Sequence, residues 1–448
     1  MFNPEQVKSF SFVSRSFDPT NGLVKLTYAL DQQHFTEVIQ LPRATATLDT
    51  DKVNAALRVL HLVAGISYYK AAVPAEIQDQ TNSIDVTTAY FLTTLYRQGL
   101  GEFAYRNQIQ LSSRIKFPQT ASAASPSPIK NVSTKAKECE HTKKILVPLG
   151  GGKDSLVTLD LFQAAGFEVT PIVVGRSKIF DQLEQSSNLK LIRIERQLDP
   201  LLITLNQQGA YNGHIPISAI LGAIFALYAV TNNIAAIVMS QEHSASFGNL
   251  FYDGIEINHQ FSKSLDYERS FSELIKNQID SQLEYFSLLR PLSELAICKQ
   301  FAKLKHYQQA FSSCNRNFTH ATPTIKSNWC GHCPKCTFVF LALAPFLSKN
   351  EILDIFKSNV LEDPQNQDLF LELVGLSGHK PFECVGEAKE AIAALFLLAE
   401  HPDWKTSPVV QKLLNQLPRL DRAATITDCF KRHADNIPTP FLALLDHV

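Results

Sequence analysis

The chain has 448 residues, 45% of them hydrophobic and 19% charged, which is enough apolar material for a folded core and excludes wholesale disorder. Its 42 basic and 43 acidic side chains leave a net charge of −1, which argues against a protein held to DNA or RNA by bulk charge. The N-terminus lacks the basic and apolar regions of a leader, the apolar run at residues 215–230 is shorter than the ~20 residues of a membrane span, and eight cysteines are too few for a disulfide scaffold, so a cytoplasmic protein of about three domains is expected.

In chain order, residues 1–110 read as a small α+β unit. Residues 10–14 and 23–30 have strand character, with turn chemistry at Asp18-Pro-Thr-Asn-Gly22 between them, and 34–41 is a third strand candidate. Val53, Leu57, Leu60, Val63 and Ile66 recur at helical spacing over 51–69, ending in Tyr68-Tyr69-Lys70, and 87–107 is a second helix candidate. Residues 111–143 include a run rich in Ala, Ser and Pro, expected to be a linker. From 144 to 350, strands (145–149, 168–174, 190–194, 234–239) alternate with helices (155–165, 217–230), the signature of a doubly wound α/β domain with a parallel sheet. Residues 351–448 read as a helical C-terminal region, notably 387–400 and 408–417.

The sharpest local signal is Gly150-Gly151-Gly152-Lys153-Asp154-Ser155, directly after an apolar strand and directly before a helix. Glycines allow a tight turn that brings backbone N–H groups against an anion, and the helix adds its positive end. Lys153 would add a charge, Ser155 a hydroxyl, and Asp154 a helix cap or a Mg²⁺ contact. The run is neither a Walker A loop nor the dinucleotide G-x-G-x-x-G. It resembles the S-G-G-x-D-S loop of the PP-loop ATP pyrophosphatases at five of six positions, with Gly150 where that family usually has Ser. That resemblance implies ATP cleaved between its α and β phosphates.

Cys314, Cys330, Cys333 and Cys336 form C-x15-C-x2-C-x2-C, a set that suits a closed, tetrahedral structural Zn²⁺ site, with an iron–sulfur cluster as the competing occupant. His320 and His332 are bystanders or substitute ligands, and Cys139, Cys298 and Cys429 are scattered. Other polar positions lie where an open α/β sheet binds ligands. Gly175 and Ser240-Gln-Glu242-His243 follow strands, with Glu242 a candidate for Mg²⁺ and His243 for a base. His259 and Lys263, four apart, would share a helix face and suit a pyrophosphate or acid/base work. Arg290 and Glu294 are a candidate ion pair or carboxylate site. Cys384, close in sequence to Lys380, is a candidate reactive thiol that abstracts a proton.

Segments spread along the chain resemble the MurL family, the ATP-dependent epimerases of UDP-N-acetylmuramoyl-L-alanyl-L-glutamate: Ala64 to Lys70, Pro148 to Ser155, Asn212-Gly-His214, Asn258-His259 to Lys263, Arg290-Pro-Leu-Ser-Glu294, Trp329 to Cys336, and Lys380 to Glu387. The resemblance implies a cytoplasmic peptidoglycan-precursor enzyme with a PP-loop core, ATP and Mg²⁺ as co-substrates, and a UDP-muramoyl dipeptide as substrate. It implies epimerisation through an acyl-adenylate; Lys153, Asp154, His259, Lys263 and Cys384 are the catalytic candidates read from the residues, and Gly150 to Ser155 with Gly175 those for the nucleotide. A PP-loop enzyme of tRNA or 7-deazapurine modification is the alternative, weakened by the absence of a basic run.

Overall fold

The computed structural model describes residues 1–44, 47–119, 144–187, 189–317, 327–378, 380–446 and 448. Residues 120–143, Cys139 and His320 lie outside the described residues. The strands are β1 (Ser9–Asp18), β2 (Leu23–Leu30), β3 (Gln33–Gln40), β4 (Glu76–Asp79), β5 (Lys144–Pro148), β6 (Glu168–Val174), β7 (Ile192–Gln197), β8 (Ala236–Met239), β9 (Leu250–Tyr252), β10 (Ile255–Ile257) and β11 (Glu284–Ser287). Nine of them form one sheet, in the order β11-β8-β5-β6-β7-β3-β2-β1-β4, and β9 and β10 form a separate hairpin.

The sheet has two halves. Strands β11, β8, β5, β6 and β7 run parallel, and β7, β3, β2 and β1 are joined by antiparallel pairings. The parallel half has helices on both faces, so its central strands β5 and β8 are apolar almost throughout. Along β5, Ile145 and Val147 enter one core and Leu146 the other. Helix Lys153–Ala164 covers the first face with Leu156, Leu159 and Phe162, and helix Ile217–Thr231 covers the second with Ile220, Ala223 and Ile224. The C-terminal helices Pro334–Leu343 and Ala388–Glu400 pack into the first core.

Several expected elements take different bounds for physical reasons. The helix expected over 51–69 breaks into Thr50–Ala64 and Ile66–Tyr69. Gly65 lies at the break, where a Cβ would stand 2.5 Å from the Phe12 ring, so only glycine fits. The helix expected over 87–107 is two, Val86–Gly99 and Gly101–Asn107. The expected linker has packed residues at its start, because Leu111, Ile115 and Phe117 are buried. His259 and Lys263 are not on an α-helix: they sit in a turn and a single 3-10 turn, Phe261–Lys263.

The β3–β7 seam joins the N-terminal strands to the parallel half. Glu37 of β3 is fully buried there and takes two hydrogen bonds from Arg196 of β7, at 2.7 and 3.0 Å. Arg196 also donates to Ser67 Oγ at 2.9 Å. Losing one partner of such a pair strands a buried charge, so Arg196→Met should destabilise the protein by about 3–5 kcal/mol, and adding Glu37→Leu should recover most of it. Urea unfolding midpoints of the single and double variants measure this; an unchanged midpoint for Arg196→Met would mean the pair contributes nothing.

Candidate active site

In the parallel half, β5 is followed in space by β6 and β7 on one side and by β8 and β11 on the other. The chain therefore reverses its winding between β5 and β8, and the loops leaving those two strands part to form a crevice. A cavity of about 470 Å³ opens there, with Gly150, Gly152, Asp154 and Ser155 on one wall and Glu242, Lys263, Lys335 and Cys384 among its other lining groups.

The glycine loop behaves as its sequence suggests, except at the lysine. Gly151 has φ +86°, a left-handed conformation that disfavours other residues. Gly150 faces open space, with nothing within 4 Å of where a Cβ would be. Helix Lys153–Ala164 starts at the cavity with no side-chain cap, so its first N–H groups remain for an anion. Lys153, however, is fully buried and absent from the cavity wall. Its ammonium is held by Asp154 and by Glu294. Gly175 ends β6 with φ +89°, donating its N–H to Ile194 O at 2.8 Å; Val174 rather than Gly175 lines the cavity.

Glu294 and Arg290 do not pair with each other. Glu294 is buried and also takes a bond from Lys335 at 3.3 Å. Burial alone would raise its pKa, but Lys153 and Lys335 outweigh that and hold it below the usual carboxylate range. The Glu294 N–H donates to Glu390 at 2.6 Å, and burial followed by the Glu294 charge pushes Glu390 up to about 7. Arg290 is buried against Glu268 at 2.9 Å and donates to the backbone carbonyls of Glu242 at 2.7 Å and Lys263 at 2.6 Å. It therefore fixes the two loops that bring Glu242 and Lys263 to the cavity. Glu242 itself is raised by burial, then by Glu294 and Asp154. His243 turns away from the cavity and stacks on His433, with ring centroids 3.6 Å apart.

The wall around Cys384 gathers residues from three distant parts of the chain. Lys263 Nζ donates to Cys384 Sγ at 3.0 Å. The His259 ring hydrogen-bonds the same thiol, and its Nδ1 pairs with Glu102. Glu102 is buried and accepts from Arg106 at 2.6 Å, while the His214 ring lies against His259, tilted 40° to it with ring centroids 4.2 Å apart. Burial opposes the thiolate, but Lys263 and then His259 outweigh it and bring Cys384 down to about 5. His259 goes the other way: burial lowers it, yet Cys384 and Glu102 hold it up at about 9. The thiol and imidazole are thus an ion pair at neutral pH. The cation beside the thiol is Lys263, because Lys380 pairs with Glu387 instead.

The four clustered cysteines converge. The sulfurs of Cys314, Cys330, Cys333 and Cys336 all lie within 4.8 Å of one another, with Cys333–Cys336 at 3.4 Å and Cys330–Cys336 at 3.7 Å. Tetrahedral Zn–S bonds of ~2.3 Å place sulfurs about 3.8 Å apart, so the spacing fits a metal. The His332 N–H points at Cys330 Sγ (3.5 Å) and the Cys336 N–H at Cys333 Sγ (3.4 Å), bonds that support thiolates. Glu102 carries no signal in the sequence, and His214 stands out only within a segment that resembles the family. Glu102 lies in an ordinary helical stretch, and only its fold position beside His259 marks it. Tyr68, Tyr69 and Lys70 are buried, and Lys70 donates to Asn212 at 2.7 Å.

A family profile described as the MurL N-terminal domain matches residues 1–288, and one described as the MurL C-terminal domain matches 310–427. A UDP-N-acetyl-alpha-D-muramoyl-L-alanyl-L-glutamate epimerase of Xanthomonas oryzae pv. oryzae is 42% identical over 94% of this chain and 92% of its own length. Proteins of the same name from Micromonospora sp. and Salinispora tropica are 38% and 37% identical, over 98% and 92% of this chain and 98% and 90% of their own lengths.

The Cys384 ion pair has a direct chemical readout. Only the thiolate is alkylated, so iodoacetamide labelling of Cys384, followed on its peptide by mass spectrometry, should rise through a midpoint near pH 5 and plateau above it. Lys263→Met should move that midpoint toward the ~8.5 of a free thiol. A wild-type midpoint already near that value would dissolve the ion pair.

Proposed function

Because the chain belongs to the MurL family, we propose that it inverts the terminal L-glutamate of UDP-N-acetylmuramoyl-L-alanyl-L-glutamate to D-glutamate, at the expense of ATP, through an acyl-adenylate. The observation that carries this reading is the sharing of one cavity by a glycine loop and a cysteine whose sulfur accepts from Lys263. The two ends correspond to the two halves of the chemistry.

The α-proton beside a free carboxylate is barely acidic, because its removal would add charge to an anion. Joining the carboxylate to AMP removes that charge and lets the carbonyl take the electrons as an enolate. Gly150, Gly151 and Gly152, with the N–H groups opening helix Lys153–Ala164, would receive the pyrophosphate. Asp154 and Ser155, both on the cavity wall, would hold Mg²⁺, which would neutralise phosphate charge. Lys153 serves the loop from inside, fixing Asp154 against Glu294. Glu242, Lys263 and Cys384 with His259 are the groups positioned to move protons at the glutamyl end. The substrate is a soluble nucleotide-sugar peptide, and no helix among the described residues is long and apolar enough to cross a membrane.

In D₂O the protein should place deuterium on the α-carbon of the terminal glutamate only with ATP and Mg²⁺ present, while AMP and pyrophosphate accumulate. An α,β-methylene ATP analogue should block both. Exchange without nucleotide would remove adenylation from the mechanism.

The cysteine cluster would hold a structural Zn²⁺ through all four thiolates, leaving no open position for catalysis. One equivalent of zinc should copurify, and Cys333→Ser should lose it together with several degrees of melting temperature, since metal binding energy becomes folding energy at such a site. Metal-free protein of equal stability, or brown protein absorbing as an iron–sulfur cluster, would overturn this.

A further inference from the structure

Glu102, His259 and Cys384 lie in a hydrogen-bonded row: the buried carboxylate pairs with His259 Nδ1, and the imidazole bonds the thiol. A carboxylate that orients an imidazole, which in turn activates a sulfur, is the arrangement of covalent acyl transfer. Its sulfur lines the same cavity as the glycine loop, the place where an activated acyl group would form. Lys263, at 3.0 Å from the sulfur, adds a second cation to hold it ionised.

We propose that Cys384 is the nucleophile that takes the glutamyl group from AMP as a thioester, and that Glu242 is the base that removes the α-proton from that thioester. This rests on the adenylation reading above and deepens it. The thiolate attacks the acyl carbon; the C–S bond forms, the acyl–phosphate C–O bond breaks, and AMP leaves with the electron pair. Glu242 takes the α-proton, and the thioester oxygen carries the charge as an enolate. A proton is returned to the other face from solvent, and Glu242 gives its own proton back to solvent. Water then adds to the acyl carbon, the C–S bond breaks, and Cys384 leaves as thiolate, restoring the free carboxylate and releasing both protons of the water.

Two physical arguments favour nucleophile over base for the sulfur. A thiolate with Lys263 at 3.0 Å is a weak proton acceptor yet an available nucleophile, whereas Glu242, buried on the same cavity wall, is the carboxyl group placed to take the proton. The second concerns His259. Its proton is held by two anions, Cys384 and Glu102. Acylation of the sulfur erases the first of them, so the imidazole gives up its proton more readily at the stage when a base is needed to activate the hydrolytic water.

The test uses full-length protein with ATP, Mg²⁺ and the UDP-muramoyl dipeptide, quenched in acid and weighed intact. A mass increase equal to the substrate minus water should appear on the Cys384 peptide and be removed by hydroxylamine. Glu242→Gln should still form this adduct and AMP, but incorporate deuterium at least about 10²-fold more slowly than wild type. Cys384→Ala should lose both adduct and isotope exchange while keeping a cooperative unfolding transition and pyrophosphate release. If exchange needs Cys384 but neither wild type nor Glu242→Gln yields an adduct, the thiolate is a base and the thioester is wrong. Normal exchange in Cys384→Ala also overturns it. If wild type exchanges deuterium without making AMP, the adenylation reading itself fails, and the thioester with it.

Discussion

The site hangs on one buried carboxylate. Glu294 accepts from Lys153 in the first turn of the helix after the glycine loop and from Lys335 in the first turn of the helix after the cysteine knuckle. Its backbone N–H is held by Glu390 of the C-terminal helix. Two of these elements are tied by its charge and the third by its backbone N–H, and in a dry interior removing a partner of such a charge costs about 3–5 kcal/mol. The tie also decides what Lys153 does. A lysine beside a phosphate loop invites a phosphate role, yet here its charge is already matched by Glu294 and Asp154. The cations that reach the cavity wall are instead Lys335 and Lys263.

The same logic makes the wall around Cys384 a coupled set rather than a list. Glu102 holds the proton on His259, His259 and Lys263 hold the sulfur ionised, and Arg290 fixes the backbone from which Lys263 and Glu242 extend. Each ion is buried with its counter-ion, which is how charges survive away from water. The negative charge on the sulfur faces two cations, Lys263 and His259.

Much of this was legible in the sequence where the signal is local. The glycine loop, the Cys knuckle and strand 168–174 depend on neighbours within a few residues, and the structure has each where the pattern put it. The helical spacing over 51–69 was real, but nothing local announced that Phe12 would press against Gly65 and break it. The four-residue spacing of His259 and Lys263 suggested a shared helix face; a turn brings both to Cys384 instead. Arg290 and Glu294 read as a pair because they are close in sequence, whereas burial gave each a distant partner. Glu102 carried no signal, since a carboxylate in a helix is ordinary until the fold sets a histidine beside it.

That last case shows why the nine-stranded sheet matters to the chemistry. The N-terminal strands extend the parallel half edge to edge through the β3–β7 pairing, sealed by Glu37 and Arg196. Behind that seam, helix Gly101–Asn107 is brought against the β9–β10 hairpin, so closely that a Cβ on Gly101 would stand 2.8 Å from Ile257. Ile257 ends β10, and His259 follows two residues later. The contact at Gly101 therefore sets the Glu102 carboxylate against the His259 ring, and His259 in turn sets the charge on Cys384, which the C-terminal region supplies. A site built this way needs the N-terminal region as well as the glycine loop, because the proton on the imidazole beside Cys384 is held by a carboxylate from helix Gly101–Asn107.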